Sequence, residues 1–135
     1  MNKLSIQFLL LTLCLLTFAC KKNKDKDKVN ADIAASIAGT YNVNYYKEDG
    51  ELAITLPQNG ASATVQLSKA TETTIDVLIT SRIDGQVESE NYKSITVSRQ
   101  NDGTVVLSLN GRQVGTVKDK KLEITGSDFT IRASK

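Results

Sequence analysis

From residue 39 onward, apolar side chains recur at every second position. Tyr41, Val43 and Tyr45 fall on one face of an extended chain, as do Ala63, Val65 and Leu67, and then Ile75, Val77 and Ile79. Ile95 and Val97 continue the pattern, followed by Val105, Leu107 and Leu109, by Leu122 and Ile124, and by Phe129 and Ile131. The positions between are mostly Thr, Ser, Asn, Lys and Asp. A period of two places alternate side chains on opposite faces of a strand, so this is a sheet with one dry face and one wet face. The breaks between runs are Asp49-Gly50, Asn59-Gly60, Asp84-Gly85, Asp102-Gly103 and Asn110-Gly111, pairs that favour the positive φ of tight hairpins. Softer breaks fall at Asp119-Lys120 and Gly126-Ser127. The spacing predicts eight or nine strands, at about 39–47, 51–56, 62–69, 73–82, 87–98, 104–109, 112–118, 121–126 and 128–134. The second of these is short and ends at Pro57, the chain's one proline, which suits an edge or a loop. A short helical turn is expected over Asp32 to Ile37. Successive strands joined by tight turns make a meander, and closure removes its two exposed margins. The predicted fold is therefore all-β: an antiparallel up-and-down meander of eight or nine strands closed into a barrel. A two-layer sandwich is the rival, but it usually needs long crossovers that this turn spacing does not supply.

The pattern before residue 31 is of a different kind. One lysine in MNKLS precedes an apolar run from Ile6 to Ala19, interrupted by Gln7, Thr12 and Thr17. This is the plan of a secretory signal peptide. The run is shorter than the roughly twenty apolar residues of a membrane-spanning helix. Its lysine-rich flank also lies after it, on the wrong side for a cytoplasmic-side anchor. Thr17-Phe18-Ala19-Cys20 resembles the lipobox of bacterial lipoproteins, with Thr17 where leucine is commoner. The resemblance implies that Cys20 becomes the new N-terminus and carries lipid, since two or three acyl chains hold a protein on a bilayer where one does not. Cys14 is a poor rival, with bulky Leu13 before it. The alternative is a secreted protein cut near Ala19, with Cys20 a stray thiol. Residues 21–30, KKNKDKDKVN, bury nothing and read as a tether that could also touch anionic headgroups. The expected organisation is a signal peptide at 1–19, lipidated Cys20 with a tether at 20–32, and a barrel at 33–135.

Composition narrows the chemistry. The chain has no histidine, and its two cysteines both lie in the signal region. Disulfides, zinc–thiolate sites and histidine-based nucleophilic catalysis are thereby excluded from the folded part. Glu88 and Glu90 stand two apart, as an acid–base pair could, but they alternate against Val87, Ile95 and Val97 and so face water. Glu48, Asp49 and Glu51 surround a turn without the spacing of a calcium loop. The protein is expected not to be an enzyme, with no cofactor and no metal. Its net charge of +2 arises in the leader and tether: residues 33–135 carry eleven Lys and Arg against twelve Asp and Glu. No nucleic-acid partner is expected.

Ile37-Ala38-Gly39-Thr40-Tyr41 opens the first strand directly after the helical turn. With the lipobox and the meander, residues 33–135 resemble the small lipocalin-like (calycin-like) lipoproteins of Bacteroidota. That family carries tryptophan where Tyr41 stands and a late arginine across its ring, a place for which Arg132 is the candidate. The resemblance implies a barrel with one open mouth that holds a small hydrophobic ligand, on a membrane of the cell envelope. KKNKDKDK is mixed in charge, where surface display is associated with an acidic stretch, so the periplasmic face of the outer membrane is expected. Candidate inward, ligand-binding residues are Tyr41, Tyr45, Leu67, Ile79, Leu107 and Phe129. An eight-stranded barrel is also narrow enough to be filled by its own side chains. The second reading is accordingly a solid-barrel adaptor that meets a protein or glycan partner through its outer face, with Tyr46 and Tyr92 exposed.

Overall fold

The computed structural model describes residues 32–135. The chain opens with α1 (Ile33–Ile37), then runs through β1 (Gly39–Glu48), β2 (Ile54–Thr55), β3 (Ser62–Lys69), β4 (Thr74–Ile83) and β5 (Gln86–Arg99). β6 (Val105–Leu109), β7 (Arg112–Lys118), β8 (Lys121–Thr125) and β9 (Phe129–Ser134) complete it. All strand pairs are antiparallel, each of β3 to β9 pairs with its sequence neighbour, and β1 pairs with both β3 and β9. The sheet is thus an eight-strand closed barrel in which each of those eight strands has a partner on either side, although β5 meets β6 only over Thr96–Arg99. β2 is the extra strand. It lies along the far half of β1, with Tyr45 opposite Thr55, while β3 takes the near half. The segment expected as a strand over 51–56 shrinks to two residues, because the chain loops out at Pro57 before β3 resumes.

The turns follow from the residues at their centres. Asp84-Gly85 and Asn110-Gly111 both have positive φ at the two central positions, which matches the right-handed twist of the flanking strands. Asp119-Lys120 adopts the same conformation without a glycine.

Because strands alternate in direction, the turns sort to two ends. At the base lie α1, the β3–β4, β5–β6 and β7–β8 turns, and the C-terminus. At the opposite end lie the β1–β3 excursion and the β4–β5, β6–β7 and β8–β9 turns. α1 seals the base. Asp32 caps the helix by accepting from Ala35 N at 3.1 Å, and its other oxygen pairs with Lys69 Nζ at 2.6 Å. That ion pair holds the Asp32 carboxyl below its ordinary range. Asp32, at the end of the expected tether segment, is thus tied to both α1 and β3. Ile33, Ala34 and Ile37 enter the core. The core is drawn from residues 33–133 and every ladder closes within 32–135, so these residues hold a complete folding unit. Among the described residues no helix is long and apolar enough to cross a membrane.

Three irregularities in the ladders change which side chains point inward. One residue is inserted on β1 between Val43 and Tyr45. The β4–β5 register shifts between Ile75 and Val77, skipping Lys93 and Ser94, with Ser94 at φ 58° and its N–H donating to Asp76 Oδ1 at 3.0 Å. On β7, Val114 is inserted where the ladder passes from Leu107 to Ser108. A bulge reverses the alternation beyond it.

Candidate functional site

The base half of the barrel is solid. Val65, Leu67, Ile75, Val105 and Leu122 are buried there with the α1 side chains. Tyr41 is 1% exposed; burial raises its phenol pKa, and its hydroxyl donates to Ile37 O at 2.7 Å. Lys135 lies across its ring at 4.6 Å and donates to Ile37 O and Ala38 O. Burial, with Lys120 nearby, lowers the Lys135 pKa. The cation over Tyr41 is therefore Lys135 and not Arg132. Arg132 stacks at 4.9 Å over Tyr45 on the outside of the barrel and pairs with Glu123.

The other half is hollow. A cavity of about 530 Å³ is lined by Val77, Ile79, Tyr92, Ile95, Leu107 and Leu109, with Val114, Ile124 and Phe129 completing the apolar wall. It opens at the end away from α1, where Asn110, Arg112, Thr125, Gly126 and Ser127 form its lip. Gly126 belongs there for a steric reason: a β-carbon on it would fall 2.4 Å from the Phe129 ring. The volume lies within the usual range for small-molecule sites.

The six residues expected to contact a ligand divide three ways. Ile79, Leu107 and Phe129 line the cavity. Tyr41 and Leu67 point inward but are packed in the solid base, away from it. Tyr45 is outside, because the bulge after Val43 turns it over to face Arg132 and turns Tyr46 inward instead. Tyr46, expected on the outer face, packs against the core and stacks on Phe129 at 6.5 Å. Tyr92, also expected outside, lines the cavity, since the β4–β5 irregularity sets it opposite inward Val77.

The same shift moves Glu90. It pairs with inward-facing Ile79, so it stands on the inner face of the sheet; it is exposed because the β4–β5 hairpin projects past the rim. Glu88, opposite Ser81, follows it. Both glutamates are exposed to water, as expected, although the bulge rather than simple alternation sets their phase. Tyr92 donates to Glu90 and Tyr46 to Glu48. Burial and then the Glu48 hydrogen bond push the Tyr46 phenol up to about 12, with Asp128 and Glu90 adding negative potential. The bond to Glu90 and then burial raise Tyr92. One side of the mouth is therefore acidic and aromatic. Arg112, on β7, is the one charged residue in the cavity lining and has no ion-pair partner among the described residues. Leu52, Ile83 and Val87 are exposed on the β1–β3 excursion and the β4–β5 hairpin, at 90%, 60% and 52%.

Glu48, Asp49 and Glu51 behave as turn residues: Asp49 N–H donates to Asp128 O and Glu51 N–H to Glu48 O. Cys20, the signal segment and residues 21–31 lie outside the described residues.

Fold and cavity together define a small closed β-barrel with one sealed end and one open, apolar chamber. Comparison with protein-family models, with curated proteins and with solved structures finds no match.

Proposed function

We propose that this barrel is a binding module for a small hydrophobic molecule, carried on a bacterial envelope membrane by lipid on Cys20. The observation that carries the reading is the apolar cavity of about 530 Å³ inside the barrel. A barrel filled throughout by its own side chains would have no such space. The position of Asp32 is consistent with a tether: the preceding chain joins at the sealed base, leaving the mouth at the opposite end. The likeness to lipocalin-like lipoproteins belongs to this proposal, as does placement at the periplasmic face of the outer membrane. The absence of histidine and of cysteine after Cys20 supports binding over catalysis.

Binding is tested with residues 32–135 and N-phenyl-1-naphthylamine, a neutral probe whose fluorescence rises in apolar surroundings. Saturable binding is expected, and Val114→Trp, which fills the cavity from its wall, should abolish it while leaving the circular dichroism of the barrel unchanged. A probe that does not bind, or that binds Val114→Trp equally well, overturns the carrier reading. The adaptor reading would then stand, with the exposed Ile83 and Val87 as its contact surface for a protein or glycan.

A further inference from the structure

The geometry points to a ligand with an acyl chain and a single anionic head group, the chain in the cavity and the head on Arg112. The inference rests on the binding reading above and sharpens it.

The cavity is chemically graded along its axis. Val77, Ile95, Leu107 and Ile124 surround its deep part, and none offers a polar side-chain atom. Polar side chains occur at the lip, and Asn110, Arg112, Thr125 and Ser127 belong to two neighbouring turns. The β7–β8 ladder sets Gly115 opposite Ile124, so Arg112 and Ser127 leave their strands at the same height. On the other side, Arg112 is opposite Leu109, itself a wall residue, which puts Arg112 on the inner face of the sheet. A solvated arginine aimed outward would need no explanation. This one is on the inner face, is the sole charge in the lining, and lacks an internal carboxylate partner among the described residues.

An amphiphile with a polar end and a long apolar end matches this gradient, whereas a wholly apolar molecule leaves the lip unused. The sign of the head follows from Arg112, whose planar guanidinium can grip a carboxylate or a phosphate monoester through two parallel hydrogen bonds. The Asn110 amide, also at the lip, can donate to the same oxygens. Asp128 follows Ser127 on the β8–β9 turn, whereas Glu48 and Glu90 accept from the tyrosines on the other side of the mouth. These two glutamates repel an anion there and direct it to the Arg112 side. At physiological salt their influence decays over about 8 Å, while a head group in contact with Arg112 feels that charge at full strength.

The test is displacement of N-phenyl-1-naphthylamine from residues 32–135 by three ligands with the same chain length: palmitate, 1-hexadecanol and hexadecyltrimethylammonium. Palmitate is expected to bind about tenfold more tightly than the alcohol, as a charge-assisted pair at a solvent-accessible lip allows. Arg112→Gln should remove that preference and leave the alcohol unchanged, and Arg112→Glu should favour the cation. Arg112 is exposed and unpaired, so both variants should retain the barrel, which their thermal transitions confirm. Equal affinities for palmitate and alcohol overturn the head-group assignment and leave the carrier reading intact, as does a preference that survives Arg112→Gln. Tighter binding of the cation would also overturn it, placing the head on the acidic side. Failure of every ligand and of the probe removes both.

Discussion

Two tyrosines four positions apart show how much the fate of one side chain depends on a single inserted residue. Tyr41 and Tyr45 have the same apparent phase in the sequence, yet one is at the centre of the sealed base and the other is on the outer wall. Replacing Tyr41 removes a buried ring, a hydrogen bond to Ile37 O and the surface against which Lys135 lies. Tyr41→Ala is expected to cost about 3–5 kcal/mol, in the range for large aromatic truncations in cores. Tyr45→Ala loses only an exposed stack with Arg132, about 1 kcal/mol or less. Urea unfolding of the two variants checks the contrast, and equal losses would contradict the assignment of faces. The pH dependence has a definite sign. A phenol whose folded pKa is raised contributes stability that is complete below the unfolded value, near 10, and is lost as pH rises from there through the folded value. Tyr41, Tyr46 and Tyr92 all shift upward, Tyr46 to about 12. The urea midpoint should fall on the alkaline side of about pH 10, and Tyr41→Phe should lessen the fall.

At the scale of the strand, the bulges decide what the barrel can hold. Unbulged segments were legible from alternation alone: β3, β6, β8 and β9 present inward the residues their period-two pattern predicts. The misread positions all lie beyond a bulge. Their signal was present in the sequence as a spacing of three: Val43 to Tyr46, Tyr92 to Ile95, and Val114 to Val117 are inward pairs that straddle an irregularity. A strict period of two hides such pairs, because inserted residues exchange the faces of everything after them. Tyr92, Val114 and Arg112 escaped notice as site residues for that reason. Gly115, next to the β7 bulge, shows why the sequence permits the irregularity there. A β-carbon on it would fall 2.5 Å from Glu123 O, inside the backbone of β8. The backbone of the neighbouring strand cannot rotate away as a side chain could. Gly115→Ala should therefore disturb the β7–β8 ladder and cost about 2–3 kcal/mol, a typical penalty for overpacking. Gly111→Ala would meet nothing within 4 Å, so its cost should come only from its φ of 78°. Amide exchange separates the two: Gly115→Ala should speed exchange along both β7 and β8, and Gly111→Ala only at the turn.

Over the whole molecule, stability and binding are divided between the two ends of one barrel. α1 and the base halves of the strands form a packed plug, in which Leu122 is 1% exposed. In the mouth half, Ile79, Leu109, Val114 and Phe129 are only partly buried because their inner surfaces face the cavity. Truncating a side chain costs the apolar contact it loses plus the void it leaves. Leu122 has neighbours on every side, so Leu122→Ala should cost about 2–5 kcal/mol. Leu109 already borders empty space, so the same change there creates little new void and gives up less buried area, with a cost of about 1 kcal/mol. The two leucines should also differ in their effect on binding. Leu109→Ala enlarges the chamber and should alter affinity for long-chain probes, while Leu122→Ala should leave affinity unchanged wherever the barrel remains folded. Denaturant midpoints and probe titrations on the same two variants measure both quantities. Equal destabilisation by the two substitutions would mean that the mouth half is packed as tightly as the base. A binding change confined to Leu122→Ala would mean that the ligand reaches the sealed end.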